Sequence, residues 1–300
     1  QTKTFSEIYR LMDGEKYSKG SSASGKCRLC IQDPTTKKWI AFFGSRYLRT
    51  SSGIVKDLGS DVDFVKSTGC WSNKLQKFCV IEQKGLTNTS SSRQLASYLF
   101  DIDGNLLEKS TNINSLNRQF QYSAGGIFTE KICWSDTENK FILVSSNYVS
   151  ISQNFLAYSS DGINWTEIKL NTIIGSSAYP KMIIRIESLG LFILLTSDKS
   201  IYTSPDGLTW EKIKTFDDSE INYGCYHLVW SESKKTLCCT AHDTKVPHIH
   251  SYTTSDFINW TKQYGETGAA FSENAKVIWS DTTNAFIGTT CTKYIYTAKI

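Results

Sequence analysis

The stretch Ile201-Tyr-Thr-Ser-Pro-Asp-Gly-Leu-Thr-Trp210-Glu-Lys-Ile213 decides how this chain folds. It reads as a strand, a tight turn and a second strand. The Asp206 side chain can bond the backbone two residues on, and Gly207 supplies a positive φ. The same grammar returns at Tyr158-Ser-Ser-Asp-Gly-Ile-Asn-Trp165 and at Tyr252-Thr-Thr-Ser-Asp-Phe-Ile-Asn-Trp260. Degenerate copies stand at Thr50-Ser-Ser-Gly53 and Asp101-Ile-Asp-Gly104. The turn positions Gly53, Gly104, Gly162, Gly207 and Phe257 lie 51, 58, 45 and 50 residues apart. Phe257 stands where glycine is expected, so that turn is expected to use another conformation.

A second landmark is interleaved with the first. An apolar strand ends in Trp-Ser, a polar turn follows, and a second apolar strand begins. It occurs at Cys70-Trp-Ser72, Cys133-Trp-Ser135, Val229-Trp-Ser231 and Ile278-Trp-Ser280, with weaker copies leading to Trp39 and running from Arg185 to Phe192. Six units of about fifty residues result, each with about four short strands, which is the size of one β-propeller blade. The expectation is one all-β domain over 1–300, with blades at 26–58, 65–113, 126–170, 179–215, 223–263 and 275–300. Tyr294-Ile-Tyr-Thr-Ala-Lys-Ile300 matches the start of the 201–213 unit, while Phe5-Ser-Glu-Ile8 resembles Trp165-Thr-Glu-Ile168. The segment near Thr4–Leu11 is therefore expected to pair with the last blade, closing the ring and removing its exposed edges.

The Ser-x-Asp-Gly-x-x-Trp turns resemble the Asp-box repeat of sialidase-like propellers and related binding proteins. This chain is one residue shorter between Asp and Gly than the usual sialidase pattern. In that family the box is a structural turn in the outer part of each blade, so the resemblance implies a fold and not an activity. It also implies a link to bacteriophage tail and receptor-binding proteins.

Composition narrows the classes. The net charge of +4 is mild, whereas nucleic-acid binding needs a concentrated basic patch, so no nucleic-acid partner is expected. No apolar run approaches a membrane span. The first residue is Gln1, so the lack of a leader says nothing about secretion. Nine cysteines lie mostly inside strands and read as reduced, buried, small apolar residues. Cys27-Arg-Leu-Cys30 has redox or zinc spacing, but in a regular strand residues three apart face opposite sides. No cofactor is expected. The polar stretch Lys84–Arg93 reads as a surface insertion, and Tyr17–Gly25 as a connector.

The candidate sites follow from the repeat. Lys131, Lys181 and Lys276 stand at or near one point ahead of the first strand of their units, with Lys26 and Lys66 as looser equivalents. In register they would surround one mouth of an axial channel and favour an anionic ligand such as an acidic sugar. The alternative is that each lysine is a solvated gatekeeper beside a hydrophobic strand. The tryptophans recur at repeat positions and are expected to be core. The non-repeated aromatics are better binding candidates: Tyr179, Tyr223 and Tyr226 immediately precede first strands, on the same rim as the lysines, with Tyr148 near another junction. Arg185 lies in such a strand. All four histidines fall in the fifth unit, and His242, His248 and His250 could share a transition metal or form an exposed His-rich loop.

Three readings of function remain open. The first is a non-enzymatic binding module recognising a glycan or protein receptor at the axial rim, set in a phage tail or another surface-attachment apparatus with other virion or surface subunits. The second is an assembly propeller that docks neighbouring subunits. The third is a sialidase-like glycoside hydrolase. By resemblance the last would need three arginines, a Tyr–Glu nucleophile pair and an acid/base aspartate. The usual Arg-Ile-Pro motif is absent, and nothing marks Arg28, Arg46 and Arg185 as a triad among the seven arginines.

Overall fold

In the computed structural model the described residues are 27–43, 46–59, 62, 64, 67–84, 94–110, 113, 131–145, 154–175, 178–217, 221, 224–242, 249–264, 276–282, 284–289 and 295–299. The closing segment 4–11, the connector 17–25, Lys26, Lys66, residues 85–93, Tyr148, Tyr223 and His248 lie outside them. The described chain is all-β, in six antiparallel sheets built from consecutive strands. The first contains β1 (Cys27–Gln32), β2 (Trp39–Phe43), β3 (Tyr47–Thr50) and β4 (Val55–Asp57). The second contains β5 (Ser67–Ser72), β6 (Lys77–Lys84), β7 (Gln94–Phe100) and β8 (Leu106–Ser110). The third contains β9 (Ile132–Ser135), β10 (Lys140–Ser145), β11 (Phe155–Ser159) and β12 (Thr166–Lys169), followed by a one-turn helix α1 (Asn171–Ile174) that the sequence reading missed. The fourth contains β13 (Pro180–Ile186), β14 (Leu191–Thr196), β15 (Ser200–Ser204) and β16 (Glu211–Thr215). The fifth contains β17 (Gly224–Ser231), β18 (Thr236–His242), β19 (Ile249–Thr254) and β20 (Thr261–Tyr264). The sixth has three described strands, β21 (Lys276–Ser280), β22 (Ala285–Thr289) and β23 (Ile295–Lys299).

The chain divides into two compact units. One comprises residues 1–119 with 159–165, the other 120–158 with 166–300. In the first, β1 approaches β5, and Phe42, Phe64, Tyr98 and Phe100 interlock, the Phe42 and Phe64 rings 4.4 Å apart. In the second, β13 approaches both β9 and β17, and β17 approaches β21. Its core is carried by the second strands, where β10 and β14 are buried along almost their whole length. The fourth strands are open to solvent, as in β16. This gradient explains their composition: Glu211-Lys-Ile-Lys-Thr215 is a charged edge, which resists pairing with other chains.

Both sequence landmarks have a physical origin. In the turns between third and fourth strands, one Asp oxygen accepts two backbone N–H groups. Asp206 Oδ1 takes Leu208 N at 2.8 Å and Thr209 N at 2.7 Å. Asp161 and Asp256 repeat this with Ile163 and Asn164, and with Ile258 and Asn259. Their second oxygens accept from the Asn164 and Asn259 amides, which are thereby built into the turns. Gly162 N and Gly207 N donate to Ser159 Oγ and Ser204 Oγ, both at 2.8 Å. The indoles of Trp165 and Trp210 close the turns by donating to the carbonyls of Gly162 and Gly207.

The Trp-Ser landmark shapes the first turns. Ser72, Ser135 and Ser231 accept from the backbone N–H three residues on, each at 3.1 Å. Each indole donates to the side chain two residues on: Trp71 to Asn73, Trp134 to Asp136, Trp230 to Glu232 and Trp279 to Asp281. A left-handed residue precedes the second strand in all six sheets, at Lys37, Gln76, Asn139, Gly190, Lys235 and Asn284. The chemical variety of those six residues hid the regularity from sequence reading. Trp71, Trp134 and Trp165 are buried, as expected of core residues. Trp39, Trp210, Trp230, Trp260 and Trp279 are half-buried.

Candidate functional site

The candidate site lies in the second unit, where the first strands of three successive sheets begin. Three residues before the landmark aromatic, one register position is filled by Thr68, Lys131, Met182, His227 and Lys276 in sheets two to six. Lys131 and Lys276 therefore share a position, as the sequence suggested. Lys181 does not. It sits one residue earlier, at a bulge between Pro180 and Met182. The fifth sheet has the same bulge between Cys225 and His227, and Tyr226 occupies it. Bulges re-aim side chains and recur beside functional sites. Here the two bulged residues meet: the Lys181 ammonium lies 4.6 Å from the centre of the Tyr226 ring.

The two described lysine side chains reach in the same sense, each to the first strand of the next sheet. Lys131 Nζ donates to the Pro180 carbonyl at 2.7 Å, and Lys181 Nζ donates to the Cys225 carbonyl at 2.9 Å. Lys131 is buried, with 4% of its surface exposed. Burial, reinforced by the nearby Lys181 charge, brings its amine down to a pKa of about 7. A buried amine is not what an exposed ring of cations requires. Lys181 is half-buried and remains at the surface of the site. Tyr179 is half-buried beside it, its backbone paired with Ser197, and Tyr226 is 5% exposed beneath the Lys181 ammonium. Lys276 opens β21, and its side chain lies outside the described residues, as does Tyr223.

Arg185 has a different role from the other candidates. Its strand position is that of the repeated tryptophan: it pairs with Phe192, as Trp134 pairs with Phe141 and Trp279 with Phe286. The guanidinium lies 4.4 Å over the Phe192 ring, and its Nε is 3.2 Å from Glu187, the residue two further on. A planar cation thus replaces an indole, lying over the equivalent ring and forming an ion pair with the equivalent position. Arg46 is likewise engaged, 3.1 Å from Asp57 in the first unit.

A buried Tyr–Glu contact does exist, and sequence reading missed it. The Tyr98 hydroxyl donates to Glu82 at 2.5 Å, across β6 and β7. Both residues are 1% exposed, and Tyr98 stacks within the aromatic core of the first unit. Its signal was weak because Val80 and Ala96, not these two, are their direct cross-strand neighbours. The pair satisfies polar atoms inside a core and is closed to a substrate.

Among the described residues no group of three His, Cys, Asp or Glu converges, and the side chains of the candidates His242, His248 and His250 lie outside them. The backbones of His242 and His250 lie on adjacent strands, paired with Ile249 and Ala241. His227, buried at the Lys131 position, is the histidine drawn into the site region. For Cys27 and Cys30 the structure corrects the sequence argument. A bulge between Cys27 and Leu29 makes their partners Phe43 and Ala41, two residues apart, so the register places positions 27 and 30 on one face. Elsewhere burial keeps thiols protonated: Cys79 and Cys238 are pushed up to about 12, which makes them inert core residues.

Carboxylates gather at the opposite ends of the same first strands. Asp136 N donates to Glu187, Ser188 to Glu232, and Ser233 to Asp281, so each first turn is tied to the next sheet. The sheets of this unit are thus stapled by lysines at one end and by carboxylates at the other. No helix among the described residues is long and apolar enough to cross a membrane. No protein-family model matches the chain, and no curated protein matches it.

Proposed function

We propose that the chain is a six-bladed β-propeller of the Asp-box type, and that it serves as a non-enzymatic binding module for a glycan receptor carrying acidic groups. The observation that carries this reading is the meeting of Lys181 and Tyr226 at matched bulges. An ammonium held by a carbonyl and an aromatic face is a preorganised cation, and a ring beside a cation suits an acidic sugar. Lys276 opens β21 at the register position of Lys131. The six consecutive sheets and their recurring Asp turns support the propeller. Pairing of Thr4–Leu11 with the sixth sheet as its fourth strand is part of the same proposal. Attachment to a virion or cell surface belongs to the same proposal.

A glycan array probed at low and physiological salt tests it. Selective binding to acidic sugars, weakened by salt and lost in Lys181→Ala, is the expected result. A wild-type protein that ignores acidic glycans at both salt concentrations overturns the reading, and leaves docking to neighbouring subunits as the better one. The hydrolase reading is disfavoured by the engagement of Arg46 and Arg185 in local pairs and by the burial of Tyr98 and Glu82.

A further inference from the structure

We propose that Cys70 and Cys79 form a peroxide-responsive redox pair, which closes to a cross-strand disulfide between β5 and β6 once Cys70 is oxidised. The pair lies in the first unit and is independent of the glycan reading. It stands on the register of the sheet. β5 and β6 pair without a shift from Ser67 opposite Glu82 to Ser72 opposite Lys77, and Cys70 falls directly opposite Cys79. Among the described residues no other two cysteines are paired in this way. Directly opposed residues of an antiparallel pair share a face, with Cα atoms about 4.5–5.5 Å apart. A disulfide spans Cα separations of about 4.4–6.8 Å, so rotation of the side chains is enough to bridge the strands. Contacts on the other face hold the strands together at this point. The Trp71 and Phe78 rings of the next pair lie 4.6 Å apart. A Cβ at Gly69 would meet the Cys79 carbonyl oxygen at 2.8 Å, so the backbones approach closely there.

The two thiols differ in access, which sets the order of events. Cys70 is half-buried, whereas Cys79 is fully buried. A small uncharged peroxide reaches the more open residue first. Burial pushes the Cys79 thiol up to about 12, and a protonated thiol is a poor nucleophile. On its own Cys79 is inert, but oxidation of Cys70 places an electrophilic sulfur opposite it. In the first step the Cys70 sulfur attacks one oxygen of hydrogen peroxide. An S–O bond forms, the O–O bond breaks, and the products are Cys70 sulfenic acid and one water. In the second step the Cys79 sulfur attacks the Cys70 sulfur. The S–S bond forms, the S–O bond breaks, and the departing hydroxide takes the Cys79 proton to leave as a second water. Two thiols lose two electrons in all, and one peroxide gains them. The Cys79 Sγ lies 3.7 Å from Ser97 Oγ and 3.9 Å from the Gly162 carbonyl oxygen. That oxygen also accepts from the Ser97 hydroxyl and the Trp165 indole, so it keeps partners when the sulfur turns to Cys70.

The test is brief exposure of the intact native protein to hydrogen peroxide, quenching by denaturation in excess alkylating agent, tryptic digestion and mass spectrometry. Trypsin cleaves after Lys66, Lys74, Lys77 and Lys84, which puts the two cysteines on separate peptides, 67–74 and 78–84. The expected product is these two peptides joined by one disulfide, increased by peroxide and lost with dithiothreitol. Its yield should exceed that of any other cysteine pairing several-fold. Cys79→Ser should accumulate sulfenic acid at Cys70, captured by dimedone several-fold above wild type. Cys70→Ser should leave Cys79 reduced at the same dose of peroxide. A wild-type protein that carries sulfenic or sulfinic acid at Cys70 while Cys79 stays reduced overturns the proposal. So does one in which neither cysteine is oxidised, and neither result depends on a variant folding.

Discussion

Phe257 holds the same left-handed backbone conformation as Gly207, with φ of 63° against 73°, at the same place in successive turns. The sequence argued for a different turn at Phe257, and the structure corrects that. Phe257 N donates to Thr254 Oγ1 at 2.9 Å, as Gly207 N donates to Ser204 Oγ. The ring explains why the strain is tolerated. It stacks on Trp230 at 6.2 Å and 12°, packed against the core of the second unit. Removing the ring while keeping a Cβ retains the strain and loses the packing. Phe257→Ala should therefore be less stable than Phe257→Gly by about 1 kcal/mol, the usual cost of a Cβ in the left-handed region. Urea unfolding of both variants measures the difference, and equal stabilities would show that the backbone stores no strain there.

The legibility of the chain follows the same physics. Asp206, Gly207 and Trp210 could be read directly because each does local work within one turn. The bulges at Lys181 and Tyr226 could not, because a bulge depends on how two strands pair and leaves no residue signature. The spacing from Arg185 to Phe192 could place Arg185 at the Trp landmark, but its role there could not be read, because that rests on its stacking over Phe192 and not on chemical likeness. The Tyr98–Glu82 contact is a diagonal across two strands, which only the register reveals.

Asp206 should make the protein sensitive to acid. Burial alone would raise its pKa, but hydrogen bonds from Thr209, Leu208 and Ser204 outweigh it and bring the value down to about 2 from an ordinary 3.8. A carboxylate depressed in the folded state stabilises the fold above its unfolded value, and that contribution fades as pH falls from about 3.8 through about 2. Asp206→Asn should melt lower than wild type at neutral pH, and the gap should narrow across that acid window. A gap independent of pH would mean that the charge contributes nothing.

Two glycines separate backbone strain from crowding. Gly53 and Gly207 both have positive φ, at 89° and 73°. A Cβ at Gly53 would meet nothing within 4 Å, whereas at Gly207 it would come 2.8 Å from Ile142 and 3.3 Å from Phe192. Gly53→Ala should cost about 1 kcal/mol through conformation alone. Gly207→Ala should cost about 2–4 kcal/mol, because both neighbours are buried core side chains and overpacking adds to the strain. Chemical denaturation of the two variants checks the ratio, and equal losses would place the whole cost in the backbone.

Lys131 predicts the opposite pH trend from Asp206. Its folded pKa of about 7 lies below the ordinary 10.5, so between those values the unfolded chain binds more protons than the folded one. Stability then rises with pH across that window. Below about 7 the full penalty of a buried ammonium beside Lys181 is felt in the folded state. Lys131→Met removes the charge and keeps most of the apolar stem, at the loss of the bond to the Pro180 carbonyl. Relative to this variant, wild type should gain stability steadily from pH 7 towards 10.5 and show a constant difference below pH 7. Melting temperatures of the two proteins over that range give the comparison. Parallel curves throughout would mean that Lys131 titrates like an exposed lysine and that its burial in the folded chain carries no penalty.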